Sequence, residues 1–241
     1  MVADLLKKVI VVTGAGQGIG RALCQHLSTA GAQVIALSKS ADKLEELKNN
    51  YSNIETISID LKNWQNVREV LSKLPQIDGL VNNAGVAIIE PFEELTEKDF
   101  DDTFDINVKA VFNVTQALLP KLNKGSSIVM VSSLAASRSF HGHAVYSATK
   151  AAVDSLTRSL ALELGPKQIR VNSVNPTVVL TQMGRENWSD SEKSGPLLAH
   201  IPLNRFCEIQ EVIDGIVYLL SSKSSFVNGH HLNLEGGYSV S

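Results

Sequence analysis

Apolar residues along this chain come in short runs rich in β-branched side chains: VIVVT, QVIALS, ETISID, GLVNNA, SIVMVSS, IRVNSVNP and HHLNLEGG. Between them stand longer stretches with helical patterning: RALCQHLSTAG, ADKLEELKNN, WQNVREVLSKL, EKDFDDTFDINVKAVFNVTQALLPKL, AVYSATKAAVDSLTRSLALELG and IQEVIDGIVYLLSS. Short apolar runs bounded by turn residues fit buried strands, and amphipathic spacing over ten or more residues fits helices. Strand and helix alternating from end to end predict an α/β fold, a doubly wound, mostly parallel seven-stranded sheet with helices on both faces. No internal repeat or low-complexity linker divides residues 1–241, so one domain is expected. Thr177 to about Arg205 holds Gly184, Gly195, Pro196 and Pro202 among polar residues and reads as an irregular loop, a candidate substrate lid.

Composition narrows the classes of function. At 241 residues, 44% hydrophobic and 20% charged, the chain can bury a large core. A net charge of −3 without a basic run argues against a nucleic-acid partner. Cys24 and Cys207 make no disulfide framework and suit a reducing compartment. The VIVV run near the start is too short for a signal segment, and nothing later reaches membrane-spanning length. A cytoplasmic protein without an integral membrane segment is expected, and no metal.

In a doubly wound sheet, ligands bind beyond the carboxyl ends of the strands. The first strand runs into TGAGQGIG, Thr13 to Gly20, directly before a helix opening with Arg21. Gly14, Gly18 and Gly20 let the backbone approach a pyrophosphate, whose charge is met by amide hydrogens at the helix start. Ile19 occupies the place of the third glycine in a G-x-G-x-x-G turn, and Gln17 stands where a basic residue would reach a phosphate. The second strand is followed by Ser38, Lys39 and Ser40, with no acidic residue to grip ribose hydroxyls. Hydroxyls and an ammonium suit a 2′-phosphate, so the expected cofactor is NADPH/NADP+.

YSATK, Tyr146 to Lys150, places a phenol and an ammonium on one helix face, and only Tyr146 among the four tyrosines has a lysine four residues on. The same spacing occurs on ordinary solvated helices. A free phenol titrates near ~10, and a close cation is one of the few ways to lower it. The preceding apolar run ends in serines, IVMVSS, which brings a polar strand end beside the pair.

Together these motifs resemble the short-chain dehydrogenase/reductase family. TGAGQGIG matches its T-G-x-x-x-G-x-G turn, NNAG at Asn82 to Gly85 its fourth-strand motif, and YSATK its Y-x-x-x-K. Ser133 lies thirteen residues before Tyr146, and Asn107 in FDINVKA matches the family's relay asparagine. The order and spacing cover nearly the whole chain. The resemblance implies a Rossmann-type fold and a catalytic set of Asn107, Ser133, Tyr146 and Lys150. Ser133 would polarise a substrate carbonyl, Tyr146 would donate the proton, Lys150 would lower the phenol's pKa and bind the nicotinamide ribose, and Asn107 would help hold a water. It also implies cofactor contacts from Gly14, Gln17, Gly18, Ile19, Gly20, Ser38 and Lys39, from Asp60 and Leu61 at adenine, and from Asn83, Ala84 and Gly85 at its ribose. Val179 and Thr181 would lie near the carboxamide. Members commonly form homotetramers through the helices that carry Asn107 and Tyr146.

NPTVV, ALELGPKQIRVN, NWSD, IPLNRF and LEGGY resemble one branch, the dicarbonyl/L-xylulose reductases. That similarity implies NADPH-dependent reduction of L-xylulose to xylitol and of small α-dicarbonyls such as diacetyl. His143 and Trp188 would line the substrate pocket with Ser133 and Tyr146, and Leu134 would remove one polar partner from it. Thr177 replaces the family's usual glycine, which implies a stiffer lid or a different φ. A 3-oxoacyl thioester reductase is the alternative, with Arg185, Lys193 and Arg205 as candidates for an acyl carrier. A non-catalytic nucleotide sensor or structural protein is the alternative of another class, against which the intact Ser133, Tyr146 and Lys150 stand.

Overall fold

In a computed structural model, which describes residues 2–188 and 191–241, all seven runs become strands of one parallel sheet. They are β1 Val9–Thr13, β2 Gln33–Ser38, β3 Ile54–Ser58, β4 Ile77–Asn82, β5 Leu122–Val131, β6 Arg170–Pro176 and β7 His231–Leu234. Their order is β3-β2-β1-β4-β5-β6-β7, so the chain reverses direction across the sheet between β1 and β4. The crevice beyond that point is where such sheets hold ligands.

Continuous apolar strands follow from burial on both faces. Val12, Val81, Val129 and Val174 face one layer, helices α1 Gly18–Thr29, α2 Ala41–Asn50 and α9 Ile209–Leu220, through Leu23, Leu27, Leu44, Leu47, Ile213 and Ile216. Val11, Leu80, Ile128, Met130 and Val171 face the other, α3 Trp64–Ser72, α5 Val111–Leu118 and α6 Ala144–Leu164, through Val67, Leu71, Val114, Leu118 and Val153. Neighbours in sequence thus serve opposite layers, as the two-residue period of a strand requires.

Two segments differ from the sequence reading. The single helix expected from residue 97 to 122 is four pieces: α4 Glu97–Phe104, a π-helical turn Asp105–Ala110, α5, and a 3-10 turn Leu119–Lys121. Pro120 lies in that last turn, where its ring opposes further α-helix, and β5 begins at Leu122. The stretch expected to be irregular carries two short helices, α7 Gln182–Trp188 and α8 Ser191–Leu198. Its glycines and proline shorten these helices without preventing them.

A buried amide helps to hold the approach to β7. Asn172 is fully buried; its Nδ2 donates to the Val227 carbonyl at 2.9 Å and its Oδ1 accepts from the His230 amide at 3.0 Å. Removing it orphans two main-chain groups, at about 1–3 kcal/mol each when buried. Asn172→Ala should therefore lower the unfolding free energy by at least about 2 kcal/mol in urea titrations. A loss below about 0.5 kcal/mol would show that the loop finds other partners.

Candidate functional site

The glycine turn and the NNAG motif form one structure. Thr13 Oγ1, at the end of β1, accepts from the amides of Asn83 and Ala84, both at 3.0 Å. Asn83 Nδ2 returns hydrogen bonds to the carbonyls of Thr13 at 3.0 Å and Gly14 at 3.3 Å. Gly14 has φ +69°, and a Cβ there would lie 2.8 Å from Ala84 Cα. At Gly20 a Cβ would meet the Gly14 carbonyl at 2.4 Å, so that position admits only hydrogen. Gln17 caps α1 without a side-chain hydrogen bond, and the first turn holds no acidic residue. The leading amides of α1 therefore have no side-chain acceptor of their own and suit an anion. Ile19, between Gly18 and Gly20, packs against the core instead.

Next to this turn stand the groups expected to read the adenosine end. Ser38 closes β2, with its Oγ 2.7 Å from where a Gly16 Cβ would be. Lys39 pairs with Asp60 at 2.8 Å, and Leu61 is buried beside them. A residue that sequence reasoning missed is Lys43, whose Nζ donates to Gln17 Oε1 at 2.5 Å. The cation absent from the glycine loop is thus supplied by the first turn of α2. The signal was available, because a helix following β2 begins at the same carboxyl edge as the glycine turn.

Across the crevice, Ser133 follows β5 in extended conformation, and its Oγ accepts from the Ala135 amide at 3.1 Å. Tyr146 lies in the first turn of α6, with Lys150 Nζ 5.6 Å from its ring centroid. Lys150 is buried, and its Nζ donates to the Val131 carbonyl at 2.9 Å. Asn107 is placed by the π-helical turn. Its amide brackets Val86, Oδ1 accepting from the main-chain N–H and Nδ2 donating to the carbonyl, both at 2.9 Å, and Nδ2 also reaches Thr149 Oγ1 at 3.0 Å. A Cβ on Gly85 would lie 3.2 Å from Asn107 Oδ1 and 3.6 Å from Lys150 Nζ. Asn107, Gly85, Lys150, Tyr146 and Ser133 are thus brought together.

The electrostatics depart from expectation. Burial raises the Tyr146 phenol above its ordinary value, and a hydrogen bond with the Ser133 side chain opposes that rise. Burial pushes Lys150 down to about 8, with Asp154 acting in the other direction. The expected lowering of the phenol is absent because desolvation acts on both groups, and the ammonium is directed at a main-chain carbonyl. The phenol is consequently in its protonated form at neutral pH, as a proton donor requires.

One wall of the crevice is a string of rings. Tyr146 contacts His143 edge-on at 6.0 Å, His143 lies 5.5 Å from Phe140, Phe140 5.6 Å from Tyr238, and Tyr238 5.9 Å from His200. His143 is half-buried beside Tyr146, whereas Phe140 and Tyr238 escaped the sequence reading because they join only in three dimensions. Trp188 sits 5.8 Å from the Phe206 ring. Leu134 is only 1% exposed, so it packs in the interior and offers no pocket surface. Thr177 is not among the residues of positive φ, and its amide donates to the Leu234 carbonyl at 3.2 Å. Replacement of glycine there causes no left-handed strain.

The segment that follows is fastened at its base. The Leu180 amide donates to the Cys207 carbonyl at 2.8 Å, and the Cys207 amide to the Val178 carbonyl at 3.1 Å. The base holds Val179, and Thr181 Cγ2 comes within 3.6 Å of where a Gly18 Cβ would lie. Arg185 pairs with Glu208 at 2.8 Å and Arg205 with Glu211 at 2.6 Å, while the side chain of Lys193 and all of Ser189 and Asp190 in NWSD lie outside the described residues. Among the described residues no group of three or more His, Cys, Asp or Glu could hold a metal, and no helix is long and apolar enough to cross a membrane.

Comparison with known proteins agrees with this geometry. The family model described as enoyl-(acyl carrier protein) reductase matches residues 14–239. An L-xylulose reductase of Mesocricetus auratus is 45% identical over 233 residues, covering 95% of this chain and 96% of its own. Carbonyl reductase [NADPH] 2 of Sus scrofa is 41% identical over 234 residues, covering 96% of each. A solved short-chain dehydrogenase/reductase of Brucella melitensis, described as a glucose/ribitol dehydrogenase, superposes with a TM-score of 0.92 at 32% identity over 99% of both chains.

Lys150 carries a stability consequence. Its folded pKa of about 8 lies below the 10.5 of the free group, so the folded chain bears a penalty that is full below about 8 and relieved as pH rises to 10.5. Lys150→Met should raise the unfolding free energy at pH 7 by up to about 3 kcal/mol and abolish the gain between those pH values. Urea titrations of both proteins across pH 7 to 10.5 check this; parallel pH curves would contradict it.

Proposed function

This chain belongs to the short-chain dehydrogenase/reductase family, and from that premise we propose that it is an NADPH-dependent reductase of small carbonyl compounds, L-xylulose and α-dicarbonyls such as diacetyl among them. It is an oxidoreductase by family. The observation that carries the substrate class is the meeting of Ser133, Tyr146 and Lys150 beside a half-buried wall of rings, where Ser133 touches the phenol it would work with. The named relatives reduce L-xylulose or carbonyls, which supports the same class.

The residues present fit a dinucleotide. A helix start without side-chain acceptors, reached over glycines that could not carry a side chain, accepts a pyrophosphate. Gly14, Gln17, Gly18, Ile19 and Gly20 would hold it, Asp60, Leu61, Asn83, Ala84 and Gly85 the adenosine, and Val179 with Thr181 the carboxamide. Ser38, Lys39 and Lys43 would meet a 2′-phosphate. When bound, the reduced nicotinamide supplies the hydride for the carbonyl carbon.

The chain's own groups do the rest. The Ser133 hydroxyl donates to the substrate oxygen and fixes its direction. Tyr146 delivers its proton to that oxygen as negative charge develops there. Lys150, beneath the ring, offsets the charge left on the phenolate and binds the nicotinamide ribose. Asn107 holds the strand end at Val86 so that Gly85 can approach both, and would help hold a water toward Lys150. His143 and Trp188 border the substrate, residues 177–205 cover it, and the protein works in the cytoplasm as a homotetramer paired through the helices that carry Asn107 and Tyr146. An acyl-carrier substrate is disfavoured, since Arg185 and Arg205 are already paired with Glu208 and Glu211.

NADPH oxidation should be followed with diacetyl, L-xylulose and an acetoacetyl thioester. The small carbonyls should dominate, and Tyr146→Phe should keep cofactor affinity while losing ~10²- to 10⁴-fold in rate. A dominant thioester activity would overturn the substrate reading, and retention of more than about a tenth of kcat would remove Tyr146 as donor. Cofactor choice is tested by calorimetry. The wild type should bind NADPH more tightly than NADH, Ser38→Asp should erode or reverse that preference, and Lys43→Ala should weaken NADPH about tenfold while sparing NADH. Equal wild-type affinities would sink the NADPH assignment.

A further inference from the structure

Behind the catalytic groups lies a buried polar chain that the mechanism above does not use. Asp154 stands one helical turn beyond Lys150 on α6 and is 6% exposed. Its Oδ2 accepts from Asn175 Nδ2 at 2.8 Å, and that same nitrogen donates to the Ser133 carbonyl at 3.2 Å. Asn175 Oδ1 accepts from Ser173 Oγ at 2.6 Å, and Ser173 Oγ lies 2.7 Å from His231 Nδ1. Arg158 NH1 approaches His231 Nε2 at 2.8 Å.

The direction of each bond can be assigned. A guanidinium only donates, so His231 Nε2 is the acceptor and carries no proton. The histidine is therefore neutral, with its hydrogen on Nδ1 directed at Ser173, whose own hydrogen goes to Asn175. Burial lowers the imidazole's affinity for a proton, in keeping with this tautomer. The chain runs one way from His231 through Ser173 and Asn175 to Asp154, with a branch to Ser133. Asp154 Oδ1 ends it without a hydrogen bond, and His231 Nδ1 is 3.6 Å away. A buried carboxylate oxygen left without a donor is costly, so its retention calls for a counter-charge.

The charged groups facing Asp154 among the described residues are Lys150 and Arg158 from α6 and, when protonated, His231 from β7 with His230 beyond it. β6 and the segment after β5 present only the neutral Ser173, Asn175 and Ser133. Arg158 is engaged at the outer end by His231. Lys150, four residues before Asp154 and so on the same helix face, is the buried cation at the inner end.

We propose that Asp154 is a positioning residue of the reductase centre, holding the Ser133 main chain through Asn175 and supplying the counter-charge for Lys150. It acts through those two residues and touches neither substrate nor cofactor. The proposal rests on the catalytic reading for its consequence on rate, and on the placement of two buried groups one helical turn apart for its effect on Lys150. Loss of the carboxylate should let Lys150 shed its proton at lower pH. Reduction would then lose its cationic support within the neutral range, in kcat rather than KM.

Asp154→Asn is the decisive variant, because its amide oxygen can still accept from Asn175 while the charge is gone. The titration of Lys150 is followed by NMR of 13C-labelled lysines, assigned by difference from Lys150→Met. The midpoint, about 8 in the wild type, should fall by about 1 unit or more in Asp154→Asn and return toward 8 in Asp154→Glu. The alkaline limb of kcat should move down with it, KM changing less than about twofold. An unmoved Lys150 midpoint overturns the proposal; Asp154→Ser replaces the amide variant if that does not fold. A wild type that reduces no carbonyl would refute the proposed function alone, since the NMR titration still judges Asp154.

Discussion

A lysine ammonium buried against a single main-chain carbonyl is the constraint around which the rest of this molecule is arranged. Water is a better solvent for that charge than the interior between β5 and α6, and burial accordingly lowers the pKa of Lys150. Each neighbouring feature reduces the cost or exploits the placement. The Val131 carbonyl is free to accept because β5 ends there, Ser132 Oγ binds the Lys150 carbonyl at 3.3 Å, and Gly85 brings bare backbone to the ammonium. A charge that is expensive to keep is also one that little solvent screens. The same burial that lowers the lysine's pKa leaves its charge little screened toward any negative charge that develops one turn away.

The second organising contact is less costly and equally strict. Thr13 and Asn83 exchange hydrogen bonds across the point where the sheet changes direction, so the glycine turn and the strand end at NNAG move as one body. Gly14 and Gly20 are fixed by that closeness more than by flexibility, since a methyl group on either would strike backbone. The glycine turn and the strand end that leads to Gly85 are therefore referenced to one another through two short side chains, Thr13 and Asn83, each bonded to main chain.

Much of this was legible in the sequence because it rests on periodicity and on short-range spacing. Strands buried on both faces give continuous apolar runs such as IVMV, and a tyrosine four residues before a lysine shares its helix face whatever the fold. Features that depend on distant pieces meeting were not legible. Lys43 reaches Gln17, and Tyr238 reaches Phe140, only once α2 and the carboxyl-terminal turn are docked. The π-helical turn at Asn107 carries a pattern that reads as ordinary helix, and two short helices stand where the glycines and prolines after β6 read as a loop. The direction of the Tyr146 shift was misread for a related reason: residue identity discloses which charges are near, whereas the depth of burial that outweighs them belongs to the assembled core.

The paired backbone bonds between Val178, Leu180 and Cys207 make the two ends of the intervening segment neighbours. A segment closed on itself in this way behaves like a cassette plugged into a fixed socket. Its length can grow or shrink with only a logarithmic entropic cost, about 0.6 kcal/mol for a doubling, and the sheet registers none of the change. Evolution can exchange the contents of such a socket wholesale. The hydride and proton chemistry would then stay with the strands and α6, while the repertoire of compounds admitted is rewritten in one stretch of about twenty-five residues.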